Sequence, residues 1–325
     1  MSSPADRPSP RDAEVLLGRA ERPLVIGIGG GGDVVGALAT AEACRLYAGA
    51  RPVLGGVTWE RRPIDPAPGP RRIDEIEGGR ELAPGVIAAD ADTHVRASGV
   101  RFAESRMAEL LAEETVLVDP NVGASTIADG LTAAAGSLGC DLLVFVDVGG
   151  DALAHGDELG LASPLCDAVL LGAAALLSRE GQPVLGAIFG PGCDGELTLA
   201  ELEARISEIA AHGGLAGARG ITPPVAERLR EAALAIPTEA SAQAVRAFEG
   251  ERGEVTIRRG RRTVQLSPVA ALTVYFDVEV AIRSAARLAA AVMESDSLEA
   301  ANDALHKLGV RTELDLERGA SSDER

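Results

Sequence analysis

The chain reads as an α/β protein built on a doubly wound, mostly parallel sheet with helices on both faces. Three observations predict this. Short apolar runs alternate with segments of helical spacing from Leu24 to Ala211. Several of those runs, such as Leu142 to Val146, are continuously apolar, as in strands covered on both faces. Five of them end in segments rich in glycine and acid, the turn chemistry that leads a strand into a helix.

Taken in order, Asp12 to Ala20 has weak helical spacing behind a polar, Pro- and Arg-rich start, and residues 1–20 are expected to be flexible. Leu24 to Ile28 is the first strand, followed by a glycine loop and a helix to about Ala48. Pro52 to Val57 is the second strand. Pro63 to Pro70 carries four prolines and is expected to lack regular structure. Gly85 to Ala89 reads as a short strand and Phe102 to Ala112 as a helix. Thr115 to Val118, Asp141 to Val146 and Pro183 to Phe189 read as strands. Ser125 to Leu138, Leu165 to Ser178 and Leu199 to Ala211 read as the helices between and after them. Past Gly220 the pattern changes to an α+β portion. Helices are expected over Pro223 to Ile236, Ser241 to Phe248, Val278 to Met293 and Leu298 to Leu308. Glu254 to Ile257 and Thr263 to Leu266 flank Arg258-Arg259-Gly260-Arg261-Arg262 as a hairpin, and Thr273 to Phe276 is β-branched and aromatic. The expected organisation is one domain over 21–312, with a Rossmann-like core over 21–215, helices and a hairpin packed on it over 216–312, and a disordered tail over 313–325.

Composition narrows the function. The formal charge of −18, from 49 acids against 31 bases, repels nucleic-acid phosphates and anionic membranes. Aromatics make up only 2% of residues, too few for base-stacking platforms. No apolar run is long enough to span a bilayer, and the start lacks the apolar core of a secretory signal. The four cysteines, Cys44, Cys140, Cys166 and Cys193, are widely spaced, which fits reduced thiols and a cytoplasmic location. Lys307 is the only lysine, so a Walker-type loop is excluded and PLP is not expected. His94, His155, His212 and His306 show no zinc-ligand spacing. The expected partner is a small molecule; alanine-rich helices late in the chain leave homo-oligomerisation open.

In a parallel sheet the five Gly- and acid-bearing strand ends share one edge, where ligands of open α/β sheets bind. They are Gly29 to Asp33, Gly55 to Glu60, Asp119 to Gly123, Asp147 to Asp151 and Gly190 to Glu196. Backbone N–H groups of Gly29, Gly30, Gly31 and Gly32 are candidates to cradle an anion at a helix N-terminus. Gly27, Gly29 and Gly32 match Gly-x-Gly-x-x-Gly, but Glu60 lies late for a ribose acid and Asp33 would repel a pyrophosphate, which argues against NAD(P). Asp33, Asp147 and Asp151 are the candidate catalytic carboxylates and the ligand set if Mg²⁺ is used. The candidate substrate contacts are Trp59, Glu60, Arg61, Asp119, Gly149, Gly150, His155, Glu158, Asp194 and Glu196, with Arg61 as an anion clamp.

Gly29-Gly-Gly-Gly-Asp33, Gly55-Gly-Val-Thr-Trp-Glu-Arg61, Asp147-Val-Gly-Gly-Asp151 and Leu161-Ala-Ser-Pro-Leu-Cys-Asp167 together resemble a bacterial and archaeal family, domain of unknown function 1152. The resemblance spans about residues 20–310 and implies no reaction. From the residues themselves, the expected function is an enzyme on a phosphorylated, carboxylated or nucleotide-like metabolite, by group transfer, hydrolysis or a lyase or isomerase step. A non-catalytic ligand sensor or partner subunit uses the same features, and an NAD(P)-dependent oxidoreductase is the third reading.

Overall fold

Strands that are apolar along their whole length need cover on both faces, and helices from the rest of the chain supply it. The computed structural model describes residues 11–323. Its strands are β1 (Pro23–Gly27), β2 (Val53–Val57), β3 (Ile76–Glu77), β4 (Arg80–Ala83), β5 (Val86–Ala89), β6 (His94–Val95), β7 (Thr115–Val118), β8 (Leu142–Val148), β9 (Val184–Phe189), β10 (Leu215–Gly220), β11 (Gly253–Ile257), β12 (Arg262–Leu266) and β13 (Leu272–Phe276). Its helices are α1 (Ala13–Arg19), α2 (Asp33–Ala48), α3 (Ala103–Leu111), α4 (Gly123–Leu138), α5 (Pro164–Arg179), α6 (Leu199–Ala211), α7 (Pro223–Ala235), α8 (Ala240–Phe248), α9 (Val278–Ser284), α10 (Arg287–Val292), α11 (Leu298–Lys307) and α12 (Glu313–Asp323).

Nine strands form one sheet in the order β10-β13-β9-β8-β1-β2-β7-β5-β4. The central five, β9-β8-β1-β2-β7, are parallel, and each edge carries two antiparallel strands. The α/β, doubly wound expectation therefore holds. The chain runs outward from β1 through β2 to β7, then crosses to β8 and β9 on the other side of β1. The winding reverses between β1 and β8, and the carboxyl ends of those two strands mark the edge at which such sheets bind ligands. One helical layer, α1, α2, α3, α7 and α8, packs over one face; α4, α5, α6, α9, α10 and α11 cover the other.

The local code explains the placements. Every residue of β8 is buried, including Phe145 and Asp147. Helix α6 starts on a capping box in which Thr198 and Glu201 satisfy each other's backbone N–H groups. Helix α5 begins at Pro164, whose missing N–H costs nothing in the first turn.

The short strands β3, β4 and β6 are absent from the sequence reading, and four further features differ from it. The helix expected over Val278 to Met293 is broken into α9 and α10, because Ala286 takes a non-helical ψ of 69°. Ala285 and Ala286, at the bend, are fully buried. Strand β10, absent from the sequence reading, is an edge strand of Gly, Ala and Arg with little apolar code. Residues 11–20, expected to be flexible, are held down: Ala13 and Leu17 are buried, and Arg11 donates to the Val184 carbonyl and pairs with Asp277. Residues 1–10 of that segment lie outside the described residues. The tail expected to be disordered over 313–325 forms α12 to Asp323, because Leu314 enters the core and Glu313 finds cationic and backbone partners; 324–325 lie outside the described residues.

Candidate functional site

Acids gather at the carboxyl ends of β1 and β8. Asp147 is the penultimate residue of β8, and Asp151 opens the 3-10 turn that follows. The turn folds around Asp147, whose carboxylate accepts the N–H groups of Gly150 at 3.3 Å and Ala152 at 2.9 Å. Asp167 arrives from the first turns of α5, and Asp194 and Glu196 from the loop after β9. Among the described residues, one carboxylate oxygen each from Asp147, Asp151 and Asp167 lies within 4.8 Å of the others, and the same holds for Asp151, Asp194 and Glu196. All five acids are at most 5% exposed, so water does not screen them from one another.

Two glycines permit this convergence. A Cβ on Gly29 would stand 2.6 Å from Asp33 Oδ2 and 3.0 Å from Asp167 Oδ2. Gly149 has φ +119°, and a Cβ there would overlap the Asp194 carboxyl.

Cations are scarce beside these acids. Arg61 Nη2 donates to the Gly29 carbonyl at 2.5 Å and lies 3.3 Å from Glu313 Oε1, while its guanidinium stacks 4.1 Å from the Trp59 ring centroid. Arg262 Nη1 meets Glu196 Oε1 at 2.6 Å. The remaining oxygens Asp151 Oδ2, Asp167 Oδ1 and Asp194 Oδ1 are buried without a hydrogen-bond partner. Burial, then neighbouring carboxylates, pushes Asp147, Asp151 and Asp167 well above the usual carboxylate range. Burial likewise pushes Asp33 and Asp194 up to about 7, against the opposing pull of the Gly29 N–H on Asp33 and of Arg262 on Asp194. Glu196 goes the other way. Burial raises it, but Arg262 and the hydrogen bonds from Ser163 and Ala162 more than offset that.

The other candidates fall into place around this centre. Asp33 does not cap its own helix; its Oδ2 accepts the Gly29 N–H at 2.9 Å and faces Asp167. In the glycine loop, Gly31 gives its N–H to the Trp59 carbonyl, Gly32 packs on Thr238, and Gly30 approaches Arg61. Two N–H groups of the loop, those of Gly29 and Gly31, are thus used internally. Trp59 is fully buried beneath Arg61, and its Nε1 donates to Glu317. Glu60 turns away and accepts the Ala103 N–H at the start of α3. Asp119 accepts from Asn121 and Ile73 and holds the loop after β7, apart from the acidic centre. Gly150 seats against Leu202. Glu158 accepts the His155 and Gly156 N–H groups, and the His155 ring sits between Arg205 and Glu208, so both residues brace the loop.

Sequence reasoning quoted Asp167 in a motif without placing it in the site, and it overlooked Arg262, Glu313 and Glu317. An acid one turn into an otherwise apolar helix was the available signal for Asp167. Glu313 accepts the Leu165 and Cys166 N–H groups at 3.0 Å each, filling the N-terminus of α5 from a segment expected to be disordered.

An acid set of this kind is the donor set of a hard divalent cation, which takes carboxylate oxygens. Asp167 therefore joins Asp147 and Asp151 as a candidate ligand, with Asp33 behind it. A separate depression of about 390 Å³, lined by Arg22, Arg45, Arg51 and Glu113 among others, lies at the opposite, amino edge of the parallel strands and carries none of these acids. No helix among the described residues is long and apolar enough to cross a membrane. No curated protein and no solved structure matches the chain. The model of a family described as protein of unknown function, DUF1152, matches residues 24–321, and the chain belongs to that family.

Proposed function

We propose that the protein is an enzyme that uses a divalent cation, held by Asp147, Asp151 and Asp167, to act on a small phosphorylated, carboxylated or nucleotide-like metabolite. The observation that carries this reading is the set of buried carboxylate oxygens left without partners at the switch point of the sheet. An uncompensated group of buried acids is costly, and a cation removes the cost. The same acids would repel an anionic substrate; a cation between them reverses the sign of the interaction. The Gly29–Gly32 loop supplies the close approach, and Arg61 supplies the second positive charge.

Group transfer, hydrolysis and lyase or isomerase steps are all served by a cation that polarises an oxygen of the substrate. The test is a thermal-shift screen of nucleotides, sugar phosphates and organic acids with and without Mg²⁺ or Mn²⁺, followed by turnover assays on each stabilising compound. A ligand that binds the native state raises stability by mass action. The reading expects stabilisation that needs both cation and metabolite, with turnover lost in Asp151→Asn. Metabolite binding without turnover, in the wild type as in Asp151→Asn, would instead make the protein a ligand sensor.

A further inference from the structure

Asp151 belongs to both acid triads, and this sharing has a chemical meaning. We infer that Asp151 bridges two divalent cations, one completed by Asp147 and Asp167 and the other by Asp194 and Glu196. The inference rests on the single-cation reading above and extends it with a second ion.

Geometry supports two positions. Ligand oxygens around one hard cation stand about 3–4 Å apart when metal–oxygen bonds are near 2.1 Å. Each triad gathers its oxygens within 4.8 Å of one another, so small side-chain shifts would close them onto an ion. Paired ions sit about 3.5–4 Å apart, a span that one carboxylate bridges with its two oxygens. The second position has its own sign of an unfilled ligand. Asp194 is 4% exposed, and its Oδ1 has no partner, as is true of Asp151 Oδ2.

Glu196 shows how the second cation would enter. Its Oε2 accepts the N–H groups of Ala162 at 2.7 Å and Ser163 at 2.8 Å. Its Oε1 accepts the Ser163 hydroxyl and Arg262 Nη1. All its acceptor positions are therefore in use, three by the segment that leads into α5 and one by a guanidinium. Arg262 Nη1 also reaches the Asp194 carbonyl at 3.3 Å. Arg262 thus stands where a cation is wanted, carried by the β11–β12 hairpin, and the second ion replaces it. The hairpin keeps its own packing through Ile257, Val264 and Leu266 against Ala247 and Ala270, so loss of the Arg262 contact does not unfold it.

The experiment titrates Mn²⁺ into the full chain after chelator treatment, with calorimetry for stoichiometry and electron paramagnetic resonance for coupling. The expected result is two ions per chain with an exchange-coupled signal. Asp194→Asn should bind one ion, uncoupled. Arg262→Gln should keep the first affinity and tighten the second several-fold, because the competing guanidinium is gone. Two ions without coupling overturn the bridge. One ion in the wild type, with Asp194→Asn and Arg262→Gln unchanged, overturns the second site and leaves the single-cation reading standing. No bound ion overturns both. The wild-type stoichiometry and spectrum decide the matter even where a variant fails to fold.

Discussion

Replacing Glu60 with glutamine separates a helix-capping acid from a ligand-binding one. Glu60 is 4% exposed and accepts the Ala103 N–H at the start of α3. Burial raises its carboxyl from the usual 4.5 to about 7, although the Ala103 N–H and the charge of Arg106 pull it down. The folded state therefore holds this proton more tightly than the unfolded chain does. Its contribution to stability is full below about pH 4.5 and is lost as pH rises through about 7. At about 1.36 kcal/mol per pH unit, that loss comes to about 3 kcal/mol. Glutamine keeps an acceptor for Ala103 and carries no charge, but its new amide donors take back about 1 kcal/mol. Glu60→Gln is therefore expected to be more stable than wild type by about 2 kcal/mol near pH 8, and slightly less stable near pH 4.5. Urea unfolding followed by fluorescence suits this test, since Trp59 is the only tryptophan and is fully buried. A stability difference that does not change with pH, or a less stable variant near pH 8, would refute the reasoning.

Three further outcomes follow from the packing. Tyr275→Phe removes a buried hydrogen bond between Tyr275 and Thr40, 2.9 Å long, and should cost about 1 kcal/mol by denaturant unfolding. Gly149→Ala forces a positive φ on alanine and drives its Cβ into Asp194, so it should cost about 2 kcal/mol or more and weaken Mn²⁺ binding. Cys44, Cys166 and Cys193 are buried, and burial pushes all four thiols up; a thiol reagent should modify Cys140 alone in the native protein, and rapid labelling of Cys193 would contradict the structure.

The parts of the fold that were legible in the sequence are those where burial writes a strong code. The run from Leu142 to Val146 is apolar because both faces of β8 are covered, and the strand could be placed from that alone. The turn from Gly27 to Asp33 announced itself because close approach leaves no room for a side chain at Gly27, Gly29 and Gly32. Edge strands were less legible. Leu215 to Gly220 pairs along one side only and needs few β-branched residues, so its Ala and Gly composition carried no strand signal.

The site divides in the same way. Asp147, Asp151, Asp194 and Glu196 stand at strand ends, where topology alone brings them to one edge. Asp167 sits inside a helix, where an acid near the N-terminus has an ordinary explanation in the helix dipole. Arg262 and Glu313 reach the site through tertiary contacts from a hairpin and a terminal helix, and no local pattern encodes such a contact. Glu60 and Asp119 occupy the expected loops, but their carboxylates turn to backbone N–H groups, a choice set by which donors the neighbouring segments leave open.

The central claim, that the acids at the switch point hold a cation, is tested most directly by a crystal structure of the protein grown with Mn²⁺ and measured for anomalous scattering. The account predicts an anomalous peak bounded by Asp147, Asp151 and Asp167, with Mn–O distances of about 2.1–2.2 Å. A map with no peak among these residues at saturating Mn²⁺, and with their oxygens still mutually packed, would contradict it.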